Sequence, residues 1–335
     1  MKTHWLTRFS HSGHTCLLMC LLCFHSTLLA SQWGSAAFTL VTPFAGANNP
    51  ASYHLLPFGL EQWGGLSCRY QQVYSASEFS ALGGQRAYID WIAFRSDSTF
   101  GRGFSANLPS VEILMGITQR NPDGLGTTFA ENPDGGMTTV YSQGPLMFGA
   151  SDRGSLASII LQTPFLFDPN AGNLLLEVRN YERIPPPYQP VFVAGPLDAW
   201  EITGDAVSRV YAYDVNAANG VADTLGLTTY FVVTPVPKLA IALVSSNLVF
   251  RWSLAPIEFT LQQSAALGLS TSWQPAGGIV TTNRATNGNY DIEVTLPVDR
   301  KSPARFFRLV SQPSSPGAAG PQPNNEPSAL PNQEP

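Results

Sequence analysis

Cysteine and histidine are scarce in this chain. It has 4 cysteines and 5 histidines among 335 residues, and only His54 and Cys68 lie beyond residue 25. Imidazole and thiolate groups supply most proton transfer near neutral pH, most activated nucleophiles and most zinc ligands. If the N-terminal segment is removed, we expect a protein without catalytic residues of these types. Because one cysteine cannot form an internal disulfide, Cys68 is either a buried thiol or a site of intermolecular pairing.

Basic residues and long apolar runs are also rare. The chain has 18 Lys and Arg against 23 Asp and Glu, and every acidic residue lies after residue 37. An acidic surface without a basic stripe argues against a nucleic-acid partner. No stretch after residue 37 reaches the roughly 18 apolar residues of a membrane-spanning helix, so we expect no transmembrane helix in the mature chain.

The N-terminal residues 1–37 have the pattern of a signal peptide. Lys2 and Arg8 precede an apolar segment, Cys16–Ala30, which is short for a membrane span. Small residues at Ser35 and Ala37 predict cleavage before Phe38, with Ala30 as a second choice. An uncleaved anchor helix is the alternative, and a lipoprotein site is disfavoured. The pattern therefore predicts a secreted or extracytoplasmic protein.

Residues 38–233 show the pattern of an all-β domain. The chain has 29 glycines and 27 prolines, and only 12% of its residues are charged, a composition typical of short strands joined by tight turns. Ala87–Phe94 is apolar on both faces and predicts a central strand covered on both sides. In Leu174–Tyr181, we expect Leu174, Leu176 and Val178 to point inward and Glu177 and Arg179 to point outward. Ser75–Leu82 predicts one or two helical turns. We expect a lectin-like or jelly-roll β-sandwich.

A proline linker and a second small unit follow. Residues 234–237 read Thr-Pro-Val-Pro, a stiff linker. In residues 238–310, apolar positions alternate in several runs and predict a small immunoglobulin- or fibronectin-like β-sandwich. The residues expected to point inward are Leu239, Ile241, Leu243, Leu248, Phe250, Trp252, Phe259, Leu261, Tyr290, Ile292, Val294 and Leu296. Residues 311–335 have no apolar face, and this composition predicts a disordered tail.

Several motifs together resemble a group of exported proteins. The motifs are Arg69–Tyr74, Ile92–Asp97, Thr128–Asn132, Thr139–Tyr141, Phe167–Leu176, Leu248–Trp252, Phe259–Gln262, Trp273 and Ala304–Leu309. Their order resembles the ectodomains of PEP-CTERM-type sorted proteins of Planctomycetes and Verrucomicrobia, followed by a C-terminal β-module common in the same proteomes. The resemblance implies an envelope or matrix protein. The chain ends Asn332-Gln333-Glu334-Pro335, without the sorting tail of that group.

Carboxylates are the remaining catalytic candidates, and a glycosidase needs only a pair of them. The acids considered are Asp90, Asp97, Glu112, Asp152 and Glu177. No spacing singles out a pair. Asp90 stands out because its neighbours are apolar, and burial would raise its pKa unless it is paired. The alternative is a structural aspartate bonded to an arginine or to backbone.

Binding candidates are sparse. Of the tryptophans Trp91, Trp200, Trp252 and Trp273, the sequence places Trp200 in a loop beside Asp198 and Glu201, as an exposed contact for a ligand. Trp252 is expected in the core, and His54 is expected at the surface.

Oxygen-rich turns predict two weak calcium sites. The residues are Asp168 with Asn170, and Asp214 with Asn216. Asx turns, in which these side chains bond their own backbone, are the alternative.

These observations favour a non-catalytic exported protein that binds glycans or other envelope components, or acts structurally or in adhesion. The alternative is a carbohydrate-active enzyme with a carboxylate pair and a C-terminal accessory module.

Overall fold

The computed structural model describes residues 37–47, 52–59, 67–99, 102–181, 195–266, 272–284, 290–298 and 305–311. Strands make up 60% of the structure and helices 5%, and every strand pair is antiparallel, which confirms the all-β sandwich prediction. The signal-peptide prediction for residues 1–37 and the tail prediction for residues 311–335 fall almost wholly outside the described residues.

The first thirteen strands form three sheets. The strands are β1 (Phe38–Thr42), β2 (Ser52–His54), β3 (Cys68–Tyr74), β4 (Ala87–Arg95), β5 (Phe104–Thr118), β6 (Thr138–Ala150), β7 (Leu156–Phe167), β8 (Asn173–Asn180), β9 (Leu197–Glu201), β10 (Val207–Ala212), β11 (Val221–Asp223), β12 (Leu225–Leu227) and β13 (Thr229–Pro235). Sheet A has the order β1-β13-β4-β7, sheet B the order β11-β10-β3-β8-β5-β6, and sheet C the order β12-β9-β2.

The main core lies between sheets A and B. Tyr74 of β3 meets Phe231 of β13 edge to face, with ring centroids 5.0 Å apart, and its hydroxyl lies 2.8 Å from Thr229 Oγ1. Phe58 contacts Phe94 of sheet A and Phe148 of sheet B. Alternating inward residues from facing strands thus close a continuous apolar layer.

The predicted helical turns are a 3₁₀ helix, Ala76–Leu82. Ser75 precedes it, and its Oγ accepts a hydrogen bond from the Ser77 N–H at 3.3 Å. The helix ends at Gly83, whose φ of +58° is left-handed and favours a residue without Cβ. The sequence pattern of a short helix followed by Gly83-Gly84 is confirmed.

Two loops cover the outer face of sheet B. Phe129, in a 3₁₀ turn at Phe129–Glu131, packs with Val73, Leu175 and Val210 in a small apolar cluster. Its backbone N–H donates to Ala218 O at 3.1 Å, which joins the two loops. A strand of sheet B therefore lies between the main core on one side and this loop cluster on the other.

The last seven strands form two further sheets. They are β14 (Ala240–Val244), β15 (Asn247–Ser253), β16 (Phe259–Ser264), β17 (Gln274–Pro275), β18 (Ile279–Arg284), β19 (Tyr290–Pro297) and β20 (Phe306–Ser311). Sheet D has the order β14-β15-β19-β18, and sheet E the order β17-β16-β20. Phe250 of sheet D contacts Phe307 of sheet E with ring centroids 4.4 Å apart. The inward positions predicted for Phe250, Trp252, Leu261, Val294 and Leu296 are confirmed.

The inward prediction for β14 is wrong. Ile241 and Leu243 lie opposite Phe250 and Leu248 and so share their face of sheet D, but they are 55% and 62% exposed. Alternation identifies the face of a strand, but it does not show how far the facing sheet extends.

The two sets of strands meet at the predicted linker. Strand β13 continues through Thr234 to Pro235, and the Val236 N–H donates to Arg86 O at 2.9 Å. Tyr88 of β4 contacts Phe259 of β16 with ring centroids 6.4 Å apart. Within the ranges given above, none of the helices has the length and apolar character that a bilayer crossing demands.

Candidate ligand-binding face

Irregular pairing in sheet A places Asp90 and Trp91 side by side. Ile89 and Ile92 are both fully buried, and the register of β4 shifts between Ile89 and Trp91 against both neighbouring strands. On β7, Phe165 pairs with Ile89 and Ile160 pairs with Trp91, so residues 161–164 stand opposite Asp90 alone. A bulge breaks the alternation of side chains and re-aims them. Consequently Asp90 and Trp91 both leave the core and lie half-buried on the outer face.

Apolar side chains surround Trp91 on this outer face. Trp91 is paired with Val232 on β13 and with Ile160 on β7. Ile160 is 58% exposed, and Leu166, opposite Tyr88 on the same pair of strands, is 39% exposed. Among the described residues, this arrangement is a partly exposed apolar surface around one half-buried indole. We call the surface formed by Asp90, Trp91, Ile160, Leu166 and Val232 the sheet A face.

Asp90 supplies the polar group of the sheet A face. Its Oδ1 is buried and has no hydrogen-bond partner among the residues that the structure describes. Burial raises the pKa of this carboxyl above its usual value, and a hydrogen bond from its own backbone N–H opposes the shift. A buried acceptor without a donor is costly. Because Oδ1 is buried, a ligand hydroxyl reaches it only when the carboxyl turns toward the outer face.

A buried ion pair lies at the end of β4. Arg95 bonds Asp198 of β9 through Nε, and Asp198 also accepts from the Ser98 N–H at 2.9 Å and from Ser98 Oγ at 3.2 Å. Arg95 Nη1 lies 3.4 Å from the hydroxyl of Tyr230 on the neighbouring strand. These contacts connect sheet A to sheet C and fix the end of the sheet A face.

Trp200 does not occupy the loop that the sequence analysis expected. It lies in strand β9, pairs with Gly226 of β12 and is half-buried. The apparent loop is a three-stranded sheet whose strands are too short to show a period. Trp252 is 4% exposed and belongs to the second core, as expected. The Arg308 guanidinium lies over Trp273, with its Cζ atom 4.3 Å from the centroid of the tryptophan ring.

The calcium candidates form Asx turns. Asp168 Oδ1 accepts from the Asn170 N–H at 3.0 Å, and Asp214 Oδ1 accepts from the Asn216 N–H at 3.0 Å. Each of the four residues is thereby used in its own turn, the alternative considered for them. Across the described ranges, no group of three or more His, Cys, Asp or Glu side chains is arranged to hold a metal ion.

Two of the carboxylate candidates lie together on sheet B. Arg179 bonds Glu177 through Nε at 2.6 Å and Glu112 through Nη1 at 3.2 Å. Glu177 also accepts from Arg69 Nε at 2.9 Å, and Tyr181 donates to Glu112 at 3.1 Å. Both carboxylates are thus used as acceptors in an ion-pair network. Such a network gives both carboxylates a structural role.

Asp97 and Asp152 stabilise turns. Asp97 Oδ1 accepts from the Thr99 N–H at 2.9 Å, and Asp152 Oδ1 accepts from the Arg153 N–H at 2.7 Å.

The expectation that His54 lies at the surface is wrong. The residue is half-buried in β2, and its Nδ1 accepts from the Leu56 N–H at 3.1 Å. Its pKa is lowered to about 4, mainly by burial and also by the Arg209 charge, while Asp223 opposes the shift. His54 is therefore neutral at physiological pH.

The sequence analysis considered Asp90 and Trp91 separately and missed Ile160, Leu166 and Val232. A register shift is a property of paired strands and leaves little trace in one strand. The one available signal was Pro164 inside the run that forms β7, because proline within a strand often marks a bulge.

Comparison of the chain with protein-family models, curated proteins and solved structures gave no match.

Proposed function

We propose that the protein is an exported, non-catalytic component of the cell envelope or matrix, and that it binds glycans on the sheet A face. The scarcity of histidine and cysteine beyond residue 37 supports a binding role over a catalytic one. The resemblance to PEP-CTERM-type ectodomains supports the envelope location.

The observation that carries the proposal is that Trp91 and Asp90 lie side by side on the outer face of sheet A. A sugar ring has an apolar C–H face and a rim of hydroxyl groups. The Trp91 indole offers a large apolar surface, and Asp90 Oδ1 is an acceptor without a donor among the described residues. Trp91 can therefore contact the ring face, while the half-buried Asp90 carboxyl turns outward to accept a hydroxyl hydrogen bond. The exposed Ile160 and Leu166 extend the surface for a second ring.

Titration calorimetry with a panel of soluble polysaccharides tests the proposal. We expect Trp91→Ala to weaken binding about tenfold, which corresponds to about 1.4 kcal/mol. The matched control is Trp200→Ala, because Trp200 is also a half-buried tryptophan on a strand, in sheet C. Equal losses in both variants, or no binding by the wild type to any glycan, would reject a glycan site at Trp91.

Export is a separate part of the proposal. It is supported by the leader pattern of Lys2, Arg8 and Cys16–Ala30. Mass spectrometry of material released by producing cells should find a chain that begins at Phe38. A secreted chain that begins at Met1 would contradict cleavage, and a chain found only inside the producing cells would contradict export.

A carbohydrate-active enzyme is the second candidate, and the raised pKa of Asp90 is the observation that favours it. Among the described residues, no second carboxylate contributes to that shift, so the pair that glycoside hydrolysis requires is not evident. Turnover of any polysaccharide that is lost in Asp90→Asn would establish the enzyme and overturn the non-catalytic proposal.

A further inference from the structure

Strand β14 is an open, apolar edge of sheet D. It pairs with β15 on one side, and no strand among the described residues pairs with its other side. Ile241, Leu243 and Val244 are 55%, 62% and 51% exposed. Natural edge strands are normally protected by charges, proline or bulges, because unpaired N–H and C=O groups are a template for another strand. Residues 239–244 contain neither a charge nor a proline.

The β14–β15 hairpin defines which backbone groups are free. Its loop is Ser245-Ser246, and Val244 pairs with Asn247. Residues that flank a two-residue loop exchange hydrogen bonds, and the bonded pairs then alternate along the ladder. Ala242 and Val244 therefore direct their N–H and C=O groups toward β15. Ile241 and Leu243 direct theirs outward, away from the sheet.

We propose that β14 pairs antiparallel with β14 of a second copy of this chain, around a two-fold axis at Ala242. In this register Ile241 lies opposite Leu243 of the second copy, Leu243 lies opposite Ile241, and Ala242 faces Ala242. Both outward-directed residues then exchange backbone hydrogen bonds with the partner strand. Every cross-strand pair is apolar, and no like charges face each other.

Three features favour a second copy as the occupant. The free backbone groups select a β-strand, as in strand addition to a sheet edge. A strand without charges does not repel its own sequence, and the two-fold arrangement makes the interface self-complementary. Ile241 and Leu243 lie on the same face of sheet D as Phe250 and Leu248 but are not covered by sheet E. Pairing of two β14 strands would therefore join the apolar faces of the two copies across the two-fold axis.

The other edge of sheet D is a poorer site for such pairing. Ile279 and Val280 of β18 are 71% and 65% exposed, but Thr281, Thr282, Asn283 and Arg284 follow them on the strand. A two-fold pairing of β18 would bring polar residues against apolar ones. One short strand buries less than the roughly 1,200 Å² of a standard stable interface, so the β14 association is expected to be weak and concentration-dependent.

Sedimentation of the full chain over a range of concentrations tests the proposal. The wild type should shift from monomer to dimer as concentration rises, and Leu243→Lys should weaken this association by about tenfold or more. Ile279→Lys is the matched control, since it places the same charge on the opposite edge of the same sheet, and it should leave the dimer unchanged. A wild type that stays monomeric overturns the proposal. An equal loss in both variants also overturns it, because that result would indicate β14–β18 pairing into open chains.

A cysteine variant tests the register independently of stability. In a pair without hydrogen bonds the Cα atoms lie about 4.5 Å apart, within the range that a disulfide spans. Oxidised Ala242→Cys should therefore yield a covalent dimer joined at residue 242, identified by mass mapping, whereas oxidised wild type and Ala240→Cys should not. A failure of Ala242→Cys to cross-link, with the variant folded, rejects the two-fold register.

Discussion

Glu177 is an acidic side chain that is almost completely buried on a sheet face. Only 2% of its side chain is exposed, and it accepts hydrogen bonds from Arg69 Nε at 2.9 Å, Arg179 Nε at 2.6 Å and Gln71 Nε2 at 2.5 Å. Burial lowers the pKa of Arg179, but its bonds and charge interaction with Glu177 outweigh this and raise the pKa overall. The buried charge is thus fully compensated by its partners.

Removal of Glu177 should therefore be strongly destabilising. Without the carboxylate, Arg69 and Arg179 lose a partner and Gln71 loses an acceptor, so Glu177→Ala should lower the free energy of unfolding by about 3–5 kcal/mol. The control is Glu112→Ala, since Glu112 is more exposed and bonds the same arginine, and its loss should cost under about 1 kcal/mol. Denaturant unfolding measures both. Similar losses in the two variants would mean that the network is not centred on Glu177.

The turn between β9 and β10 contains an unusual aspartate. Asp205 Oδ1 accepts from the Val207 N–H at 2.9 Å, while Oδ2 is buried without a hydrogen-bond partner among the described residues. The same turn is bound to a second turn, because the Gly204 N–H donates to Asp123 Oδ2 at 2.7 Å. The pKa of Asp205 is raised to about 6, mainly by burial; the Val207 bond opposes this shift, and the charges of Asp123 and Glu78 contribute to it.

The stability of this turn should depend on pH. The folded protein keeps the Asp205 proton up to about pH 6, whereas the unfolded chain releases it near 3.8. This contribution to stability is therefore full below 3.8 and is lost as the pH rises through 6. Asp205→Asn should remove that slope and make the variant more stable than the wild type at neutral pH.

Thermal unfolding between pH 4 and pH 8 measures the Asp205 effect. The exposed turn residue Asp214 provides the matched control, as Asp214→Asn. If the wild type and Asp205→Asn have parallel pH profiles, the proton is not held at Asp205.

At the element scale, sequence patterns predicted most strands and the faces that they present. In β8, Leu174, Leu176 and Val178 were predicted to face inward, and all three are fully buried. Glu177 was predicted to face outward, and it does leave the main core. Its burial could not be predicted, because the loop that carries Phe129 covers it from a distant part of the chain.

The candidate site was only partly predictable. Asp90 was identified as an acid in an apolar strand, and Trp91 was considered for sugar stacking. The expectation that β4 is covered on both faces is wrong at Asp90 and Trp91, which are half-buried on the outer face. Their joint position depends on the register against β7 and β13. Pairing between distant strands sets this register, and local periodicity does not specify it.

At the scale of the whole molecule, Cys68 reports on the integrity of the first sandwich. It is fully buried, which agrees with the buried-thiol alternative. Burial raises its pKa to about 12, although the Arg209 charge opposes the shift. A thiol that is neither accessible nor ionised reacts slowly with alkylating reagents.

Alkylation of Cys68 should therefore require unfolding of the sandwich. Peptide mapping by mass spectrometry should show that Cys68 remains unlabelled in native protein and is labelled rapidly in denaturant. The labelling rate should follow the global unfolding equilibrium across intermediate denaturant concentrations. Rapid labelling of the native protein would show that the core opens locally around β3.

Within the part of the chain that the structure describes, the two outer faces of the first sandwich differ. The Phe129 cluster covers that of sheet B, whereas Trp91 on that of sheet A is half-exposed. If the glycan proposal holds, a long polymer lying along Trp91 contacts the outer face of sheet A, and the loop-covered face of sheet B points away from it.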